Sequence, residues 1–313
     1  MKYFLTLLLS ASLLAVTAQD IPLKVLVKES EKVIKKAADT SQWTHKSGGL
    51  VNVNLTQGSL SNWAAGGDKF SLAINTYFNY YKYFRKGKHN WDNNLDLFLG
   101  FVQTTSLGSR KNDDRIDFVS KSGHEITSKL YASGLFNFRS QLFDGYTYGA
   151  NNTEKFSSTI FSPAYVFLSA GLDFRPDKHL SVFFSPITSR WTIVMNEKLS
   201  EMGAYGVQPG KNSINAFGAL SSLNYSKEIM SNVFYKGRVD LFSNYRKKAK
   251  NVDLFFTNSV VFKINKYMSA NYNLDLIYDD DVRIFGPNRN GAALQLKSIL
   301  GIGFVTNLKE RKR

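Results

Sequence analysis

Strict alternation of apolar and polar side chains along most of the chain constrains the fold more than any other feature. Segments of about ten to sixteen residues carry an apolar side chain at nearly every second position. The segment 233–245, for example, puts Val233 and Tyr235 on one face and Lys236 and Arg238 on the other. Because successive side chains of a strand point to opposite sides of a sheet, each segment is predicted to be a strand with one apolar and one hydrated face.

About twelve such segments follow one another, the weakest being 115–121 and one that starts near Asn215. Short links between them are 86–89, 122–124, 176–179, 228–232 and 265–266. Longer links are 59–68, 106–114, 144–157, 196–212 and 279–291, and only 246–251 breaks the contrast. Short turns at one end and long loops at the other are typical of outer-membrane barrels. The pattern predicts an all-β fold, an antiparallel transmembrane β-barrel of about 12 strands with periplasmic turns.

The need to pair backbone groups supports the membrane interpretation. In lipid every backbone N–H and C=O must be bonded within the protein, so strands cross a bilayer only as a closed barrel without edges. A soluble protein would have to cover its rows of Phe, Leu and Tyr with a second sheet. A soluble periplasmic β-sandwich that binds a ligand is therefore the alternative fold.

The first residues predict export. Met1 and Lys2 give a positive start, residues 5–16 are almost entirely apolar, and Ala18 ends a run of small residues suited to cleavage. The apolar run is too short for a membrane-spanning helix. We predict Sec export, location in the cell outer membrane, and this division of the chain: signal peptide 1–18, periplasmic N-terminal segment 19–47 with a short amphipathic helix over 21–40, outer-membrane β-barrel 48–308, and basic tail 309–313.

Charge and cysteine content limit the partners and the chemistry. The chain has a formal net charge of +15 and no cysteine, so disulfides and thiolate metal sites are excluded. In an exported chain this charge favours anionic lipid headgroups and the phosphates of lipopolysaccharide over nucleic acid. We predict outer-membrane lipid and lipopolysaccharide as partners, leave other envelope proteins open, and predict no nucleic-acid partner and no cofactor.

The histidines give little support to a metal or catalytic site. His45, His89, His124 and His179 are the complete set, and no two of them have ligand spacing within one element. A hydrolase on the outer wall of a barrel would need a base beside a serine, and no predicted strand midsection carries a lipid-facing histidine. We therefore predict that the chain is not an enzyme.

Clustered carboxylates are the remaining metal candidates. Asp279, Asp280 and Asp281 open a predicted external loop and could bind Ca²⁺. They lack the spaced ligands and the glycine of an EF-hand loop, so solvation or pairing with the basic rim is the simpler interpretation.

Polar positions on the predicted strands should line the lumen. The inward candidates are Asp92, Asn94, Asp96, Arg139, Gln141, Lys236, Arg238, Asp240, Asp253, Lys263, Asp275 and Lys297. Their mixed signs fit a lumen packed with internal ion pairs as well as a selective pore. Barrels of eight strands are filled by side chains and those of sixteen enclose a channel, so about twelve strands leave both open.

Short strings in a fixed order resemble a known family. They are LSNWAAGG (60–67), WDN (91–93), KNDD (111–114), SQ (140–141), GY (145–146), SPAY (162–165), SP (185–186), GAYGV (203–207) and YDDDV (278–282). Together they resemble a Bacteroidota family known only as a domain of unknown function, over the range from about Trp43 to Phe304. The resemblance implies an outer-membrane β-barrel and no assigned activity.

Several of these strings fall in predicted external loops. The residues concerned are Trp63, Gly66, Gly67, Tyr205 and Asp279. Because glycine permits tight turns, the loops are expected to pack together as a cap. The alternative is a plug or a docking face for a partner protein.

The sequence thus predicts a non-enzymatic outer-membrane barrel, a structural or accessory envelope protein with a largely filled lumen. A narrow pore or transporter for small solutes is the alternative, and the soluble periplasmic binding protein is the second alternative. Conductance distinguishes the first two, because a filled barrel passes no current.

Overall fold

A computed structural model describes residues 44–59, 70–148, 153–246, 249–265, 267–280 and 291–312. The predicted signal peptide 1–18 and the predicted helix 21–40 lie outside the described residues.

Strands make up almost all of the described chain. Their bounds are β1 Thr44–Ser59, β2 Phe70–Lys86, β3 His89–Thr104, β4 Gly108–Thr127, β5 Leu130–Ser140, β6 Gly145–Tyr148, β7 Glu154–Ser158, β8 Ala164–Phe174, β9 Leu180–Ile193, β10 Ser213–Met230, β11 Val233–Asn244, β12 Val252–Lys263, β13 Met268–Tyr278 and β14 Gln295–Lys312. A helical turn, α1 (Glu197–Glu201), and a 3₁₀ turn (Ala204–Gly206) lie between β9 and β10.

Twelve of the described strands close into one antiparallel barrel. The order around it is β1-β2-β3-β4-β5-β8-β9-β10-β11-β12-β13-β14, and β14 returns to β1. Leu50 pairs with Asn307 and Asn54 with Gly303 at this closure. Strands β6 and β7 form a separate hairpin between β5 and β8. The predicted all-β antiparallel barrel of about twelve strands is confirmed.

One barrel rim carries short turns and the other carries most of the long connections. The rim of the β2–β3, β4–β5, β8–β9, β10–β11 and β12–β13 connections is called the turn end below, and the opposite rim the loop end. No helix in the described ranges is both long enough and apolar enough to cross a bilayer.

Strand β4 corrects two of the predicted links. The expected long loop 106–114 is short, since β3 ends at Thr104 and β4 already begins at Gly108. The expected turn 122–124 lies inside β4, where Gly123 packs closely against a side chain: a Cβ there would approach Asn90 Oδ1 at 2.8 Å. A glycine selected for packing was thus misread as a turn signal.

The closing strands also run further than predicted. β1 starts at Thr44 rather than 48, and β14 continues to Lys312, where Arg311 pairs with Ser47. Most of the predicted basic tail 309–313 is therefore strand. Backbone hydrogen bonds to β1 hold this charged segment in the sheet. The alternation of apolar and polar residues does not reveal such backbone pairing.

The two faces of the wall differ as the alternation predicts. On the outer face of β14, Leu296, Leu300 and Phe304 are 66%, 68% and 59% exposed. On the inner face, Gly303 and Val305 are buried. The barrel is therefore apolar outside, and its most buried side chains face the lumen.

An apolar cluster fills one side of the lumen. Leu135, Phe183, Ala216, Leu220 and Phe242 are buried there and touch one another. Val119 and Phe167 pack against them. These inward residues come from neighbouring strands from β4 to β11, so this arc of the barrel interior is packed like a protein core.

Close strand contact at Gly218 gives a test of the packing. A Cβ at Gly218 would lie 1.8 Å from the backbone oxygen of Ser243, whereas a Cβ at Gly134 would lie 4.0 Å from its nearest neighbour, the backbone oxygen of Ser169. We expect Gly218→Ala to lower the free energy of unfolding by about 1–3 kcal/mol, measured by urea titration in detergent micelles. Gly134→Ala, the matched control, should stay within about 0.5 kcal/mol of the parent. Equal losses in both variants would contradict the described packing.

Candidate functional site: the lumen

The other side of the lumen encloses a cavity of about 390 Å³. It extends from Asp113, near the loop end of β4, to His179 in the β8–β9 turn. Predicted lumen residues on its wall are Asp92, Asn94, Asp96, Arg139, Lys236, Arg238, Asp275 and Lys297. The structure thus brings eight of the twelve predicted lumen residues together around one space.

The four other predicted lumen residues do not line this cavity. Asp240 and Lys263 are buried. Asp253 pairs with Arg190 at 2.6 Å toward the loop end. Gln141 lies beyond the end of β5, where its Oε1 accepts bonds from Lys111 and Ser158 at 3.1 and 2.7 Å, so it belongs to the loop layer.

Ion pairs cross the lumen near the loop end. Arg115 Nη1 on β4 lies 3.2 Å from Asp275 Oδ2 on β13. By the shorter way around the barrel, four strands lie between β4 and β13, namely β3, β2, β1 and β14. The two side chains therefore come from nearly opposite walls. Lys297 Nζ bridges Asp275 and Asp113, each at 3.0 Å.

Arg139 makes a second crossing. Its guanidinium lies 2.8 Å from Asp117 and 4.0 Å from Asp240, and its Cζ is 3.7 Å from the ring centroid of Phe255 on β12. Asp240 also pairs with Arg238 at 2.8 Å. We call these cations and carboxylates the belt: Asp113, Arg115, Asp117, Arg139, Arg238, Asp240, Asp275 and Lys297.

The belt is electrically balanced. Its four cations face four carboxylates at contact distance, and each of these side chains is largely shielded from solvent. A buried charge is tolerated when it is paired and hydrogen-bonded. The belt therefore ties distant strands together and presents little net charge to the lumen.

On the turn side of the belt, the carboxylate of Asp96 is held by neutral hydrogen-bond donors. It accepts bonds from Tyr77 at 2.5 Å, from Asn79 at 2.8 Å and from Asn94 at 2.6 Å. Three hydrogen bonds stabilise an ionised carboxylate without a cation. This part of the cavity wall consists of amides and phenols.

A second charge cluster closes the turn end of the apolar side. Asp173 is fully buried and accepts bonds from Lys121 at 2.6 Å, from Ser181 at 2.7 Å and from Arg175 Nε at 2.8 Å. Arg175 Cζ lies 4.8 Å from the ring centroid of Tyr131. The cluster joins β4, β5, β8 and β9 across the lumen floor.

Loops pack over the opposite end. The Tyr205 hydroxyl donates to Ser157 O at 2.6 Å, joining the β9–β10 loop to the β6–β7 hairpin. Val194, Leu199 and Val207 form a buried cluster with Tyr205 against it. Tyr205 is thus part of this loop packing, whereas Trp63, Gly66 and Gly67 lie outside the described residues.

A cavity of about 290 Å³ lies beneath these loops. Arg190 on its wall lies 3.6 Å from Asp279, and Asn251 donates to Asp280 at 2.8 Å. Two of the three aspartates proposed as metal candidates thus contact an arginine and an amide. Asp281 lies outside the described residues.

Two histidines that sequence spacing kept apart meet across strands. His89 and His124 are register partners of β3 and β4, and their Nδ1 atoms lie 3.3 Å apart. Within the described residues no group of three or more His, Asp or Glu side chains is placed to hold a metal ion.

Sequence reasoning missed most of the inward residues of β4. Asp113, Arg115, Asp117 and Lys121 all line the cavity. They escaped notice because 115–121 was the weakest strand and 106–114 was expected to be loop. The alternation of charged residues from 113 onward was the signal that could have identified them.

One protein-family model matches part of the chain. The family described as "Protein of unknown function (DUF3078)" matches residues 55–146. A family of unknown function was what the sequence resemblance predicted, and the Bacteroidota origin stays a prediction. No curated protein matches the chain.

Similar solved structures are remote in sequence. The translocator domain of the autotransporter NalP from Neisseria meningitidis is 11% identical over 91% of this chain and 92% of that chain, with a TM-score of 0.38. The COG4313 outer membrane channel from Pseudomonas putida F1 is 8% identical over 87% and 97%, with a TM-score of 0.37. Outer membrane phospholipase A from Escherichia coli is 7% identical over 82% and 89%, with a TM-score of 0.36. At these values the likenesses carry no information on activity.

Tyr205 gives a test of the loop layer. Burial raises the pKa of Tyr205 from 10.0 to about 12, so its protonated hydroxyl stabilises the loop contact up to about pH 10. This contribution is lost as the pH rises from about 10 to about 12. A tyrosinate absorbance titration should show one group near pH 12 that is missing in Tyr205→Phe.

At neutral pH, Tyr205→Phe should also speed proteolytic cleavage of the β9–β10 loop, since a hydrogen bond of about 0.5–1.5 kcal/mol is removed. Tyr146→Phe is the matched control, because Tyr146 is 43% exposed in the neighbouring hairpin. Equal cleavage of both variants would contradict a packed loop layer.

Proposed function

We propose that this protein is an outer-membrane β-barrel that contacts lipid and lipopolysaccharide with its outer wall. Support comes from the apolar outer face and from aromatic pairs near both rims. Phe84 and Trp91 stack at 5.2 Å near the turn end, and Phe217 and Tyr245 meet at 6.0 Å near the loop end. Outer-membrane barrels carry such aromatic girdles at both interfaces.

The role we propose is structural or accessory, with a largely filled lumen. The observation that carries this proposal is the belt, in which Arg115 and Arg139 reach across the barrel to Asp275 and Phe255. The apolar cluster fills the arc beside it. Side chains from opposite walls thus oppose the passage of solutes, and the packed interior stiffens the barrel.

We propose no enzymatic activity for this barrel. On the outer wall His45, His89 and His124 lie on strands close to the turn end, away from the strand midsections. A serine hydrolase needs its base within hydrogen-bond reach of the nucleophile. The outer wall described here brings no such pair to mid-membrane depth.

A narrow pore for small solutes is the second candidate. It is favoured by the reach of the cavity, which runs from Asp113 toward the loop end to His179 at the turn end. If the belt opened, this space would become continuous with the cavity beneath the loops. The belt therefore decides between the two functions.

Conductance in planar lipid bilayers tests the proposal. The parent protein should give no channel steps, and the double variant Arg115→Ala/Asp275→Ala should give resolvable steps, because it removes both ends of the crossing pair and leaves neither charge unpaired. Lys236→Ala, which alters the same cavity wall outside the belt, should stay silent.

Steps from the parent protein would support the narrow pore and overturn the filled barrel. Silence of the double variant, with its fold verified by heat-dependent gel mobility, would show that the Arg115–Asp275 crossing is not the barrier.

A further inference from the structure

From the cavity that the belt residues line toward the loop end we infer a further function: on the turn side of the belt it binds a neutral, polyhydroxylated small molecule of the saccharide class. The cavity of about 390 Å³ lies within the roughly 300–1,000 Å³ of small-molecule pockets. Binding inside the barrel does not depend on whether the belt blocks a pore.

The wall of this cavity is unusually rich in amides. Nine of the described residues that line it are asparagines: Asn52, Asn54, Asn75, Asn79, Asn94, Asn224, Asn258, Asn271 and Asn273. An asparagine side chain both donates and accepts hydrogen bonds. A sugar hydroxyl does the same, so a cluster of amides matches a ligand that carries several hydroxyl groups.

Two of these amides have acceptor atoms that the protein does not use. Asn52 Oδ1 on β1 and Asn75 Oδ1 on β2 are buried and have no hydrogen-bond partner among the described residues. Asn52 is only 7% exposed. Leaving a buried polar group unpaired is unfavourable, and a ligand hydroxyl that donates to it removes that penalty.

Aromatic faces lie on the same wall. Tyr81 and Tyr83 stack at 4.8 Å, and Tyr77, the register partner of Asn52, stacks on Phe98 at 4.6 Å. A pyranose has an apolar face of C–H bonds that packs on an aromatic ring, while its hydroxyls point to the side. Amides beside tyrosines therefore fit a sugar better than they fit a wholly apolar compound.

Local charge argues for a neutral ligand. The carboxylates of the cavity wall are engaged: Asp96 by three neutral donors, Asp92 by Arg85 at 2.6 Å, and Asp275 by Arg115 and Lys297. A cationic ligand would have to separate one of these pairs, and an anionic ligand would have to compete with the carboxylates that already pair the belt's cations or be held at Lys236, close to the turn end. A neutral ligand bears neither cost.

The cavity also extends away from the belt, toward the turn end. Its lining continues to His179, Ser226 and Lys236, close to the turn end. A ligand that enters from this rim would reach Asn52 before it meets Arg115 or Arg139.

Calorimetric titration of the folded protein in detergent tests the inference. The probes are glucose and maltose as neutral sugars, glucuronate and glucosamine as charged analogues, and toluene as an apolar compound. At least one neutral sugar should bind saturably with a dissociation constant of about 1 mM or tighter, and the charged and apolar probes at least about tenfold more weakly. No saturable binding of either neutral sugar, or tighter binding of a charged or apolar probe, would overturn the inference.

Substitutions then locate the site. Asn52→Leu and, separately, Asn75→Leu should weaken sugar binding about tenfold, the loss expected for one hydrogen bond worth about 1.4 kcal/mol. Val51→Leu is the matched control, since Val51 neighbours Asn52 in β1 and does not line the cavity. Heat-dependent gel mobility verifies that each variant is folded, and unchanged affinity in either folded asparagine variant would overturn the assignment.

Discussion

Pairing of the first barrel strand with the last is the interaction on which the rest of the structure depends. Until β14 bonds to β1, two sheet edges expose a full row of backbone N–H and C=O groups, and in the lipid environment that we propose these groups would have no partner. Closure also explains why both strands are long. Each additional pair, as far as Lys312 opposite Lys46, satisfies backbone groups that would otherwise end at an open edge.

Closure in turn fixes what each side chain meets. Every second residue faces outward, where Leu and Phe are favoured, and the intervening residues meet inside a space too narrow to hydrate them fully. Charges forced into that space are stable when they find partners, so Arg115 reaches Asp275 and Arg139 reaches Asp117. Where apolar residues face inward together, as at Phe183 and Leu220, they pack as a core. The polar cavity is the part of the lumen that neither arrangement fills.

Sequence patterning predicted the strands well and the interior only in part. Alternation identifies the inward face of a strand, so Arg238 and Asp275 could be placed in the lumen. It does not report which residues of distant strands meet, because that depends on register and on barrel shear. The crossing of Arg115 to Asp275 joins residues far apart in sequence and could not be foreseen. Phe183 and Leu220 were not expected inside, since an apolar inward residue interrupts the pattern that was used to find the lumen.

Spin-label accessibility along β14 tests the central claim, a closed barrel with its apolar face in lipid and its polar face inside. The chain contains no cysteine, so single cysteines can be placed from Gln295 to Phe304 and labelled with a nitroxide in bilayers. Collisions with oxygen, which concentrates in lipid, should peak at the even-numbered positions from 296 to 304 and fall at the odd-numbered positions between them. Equal collision rates with a water-soluble nickel complex at even and odd positions would contradict a closed barrel with its apolar face in lipid. So would oxygen collision rates that do not alternate along the strand.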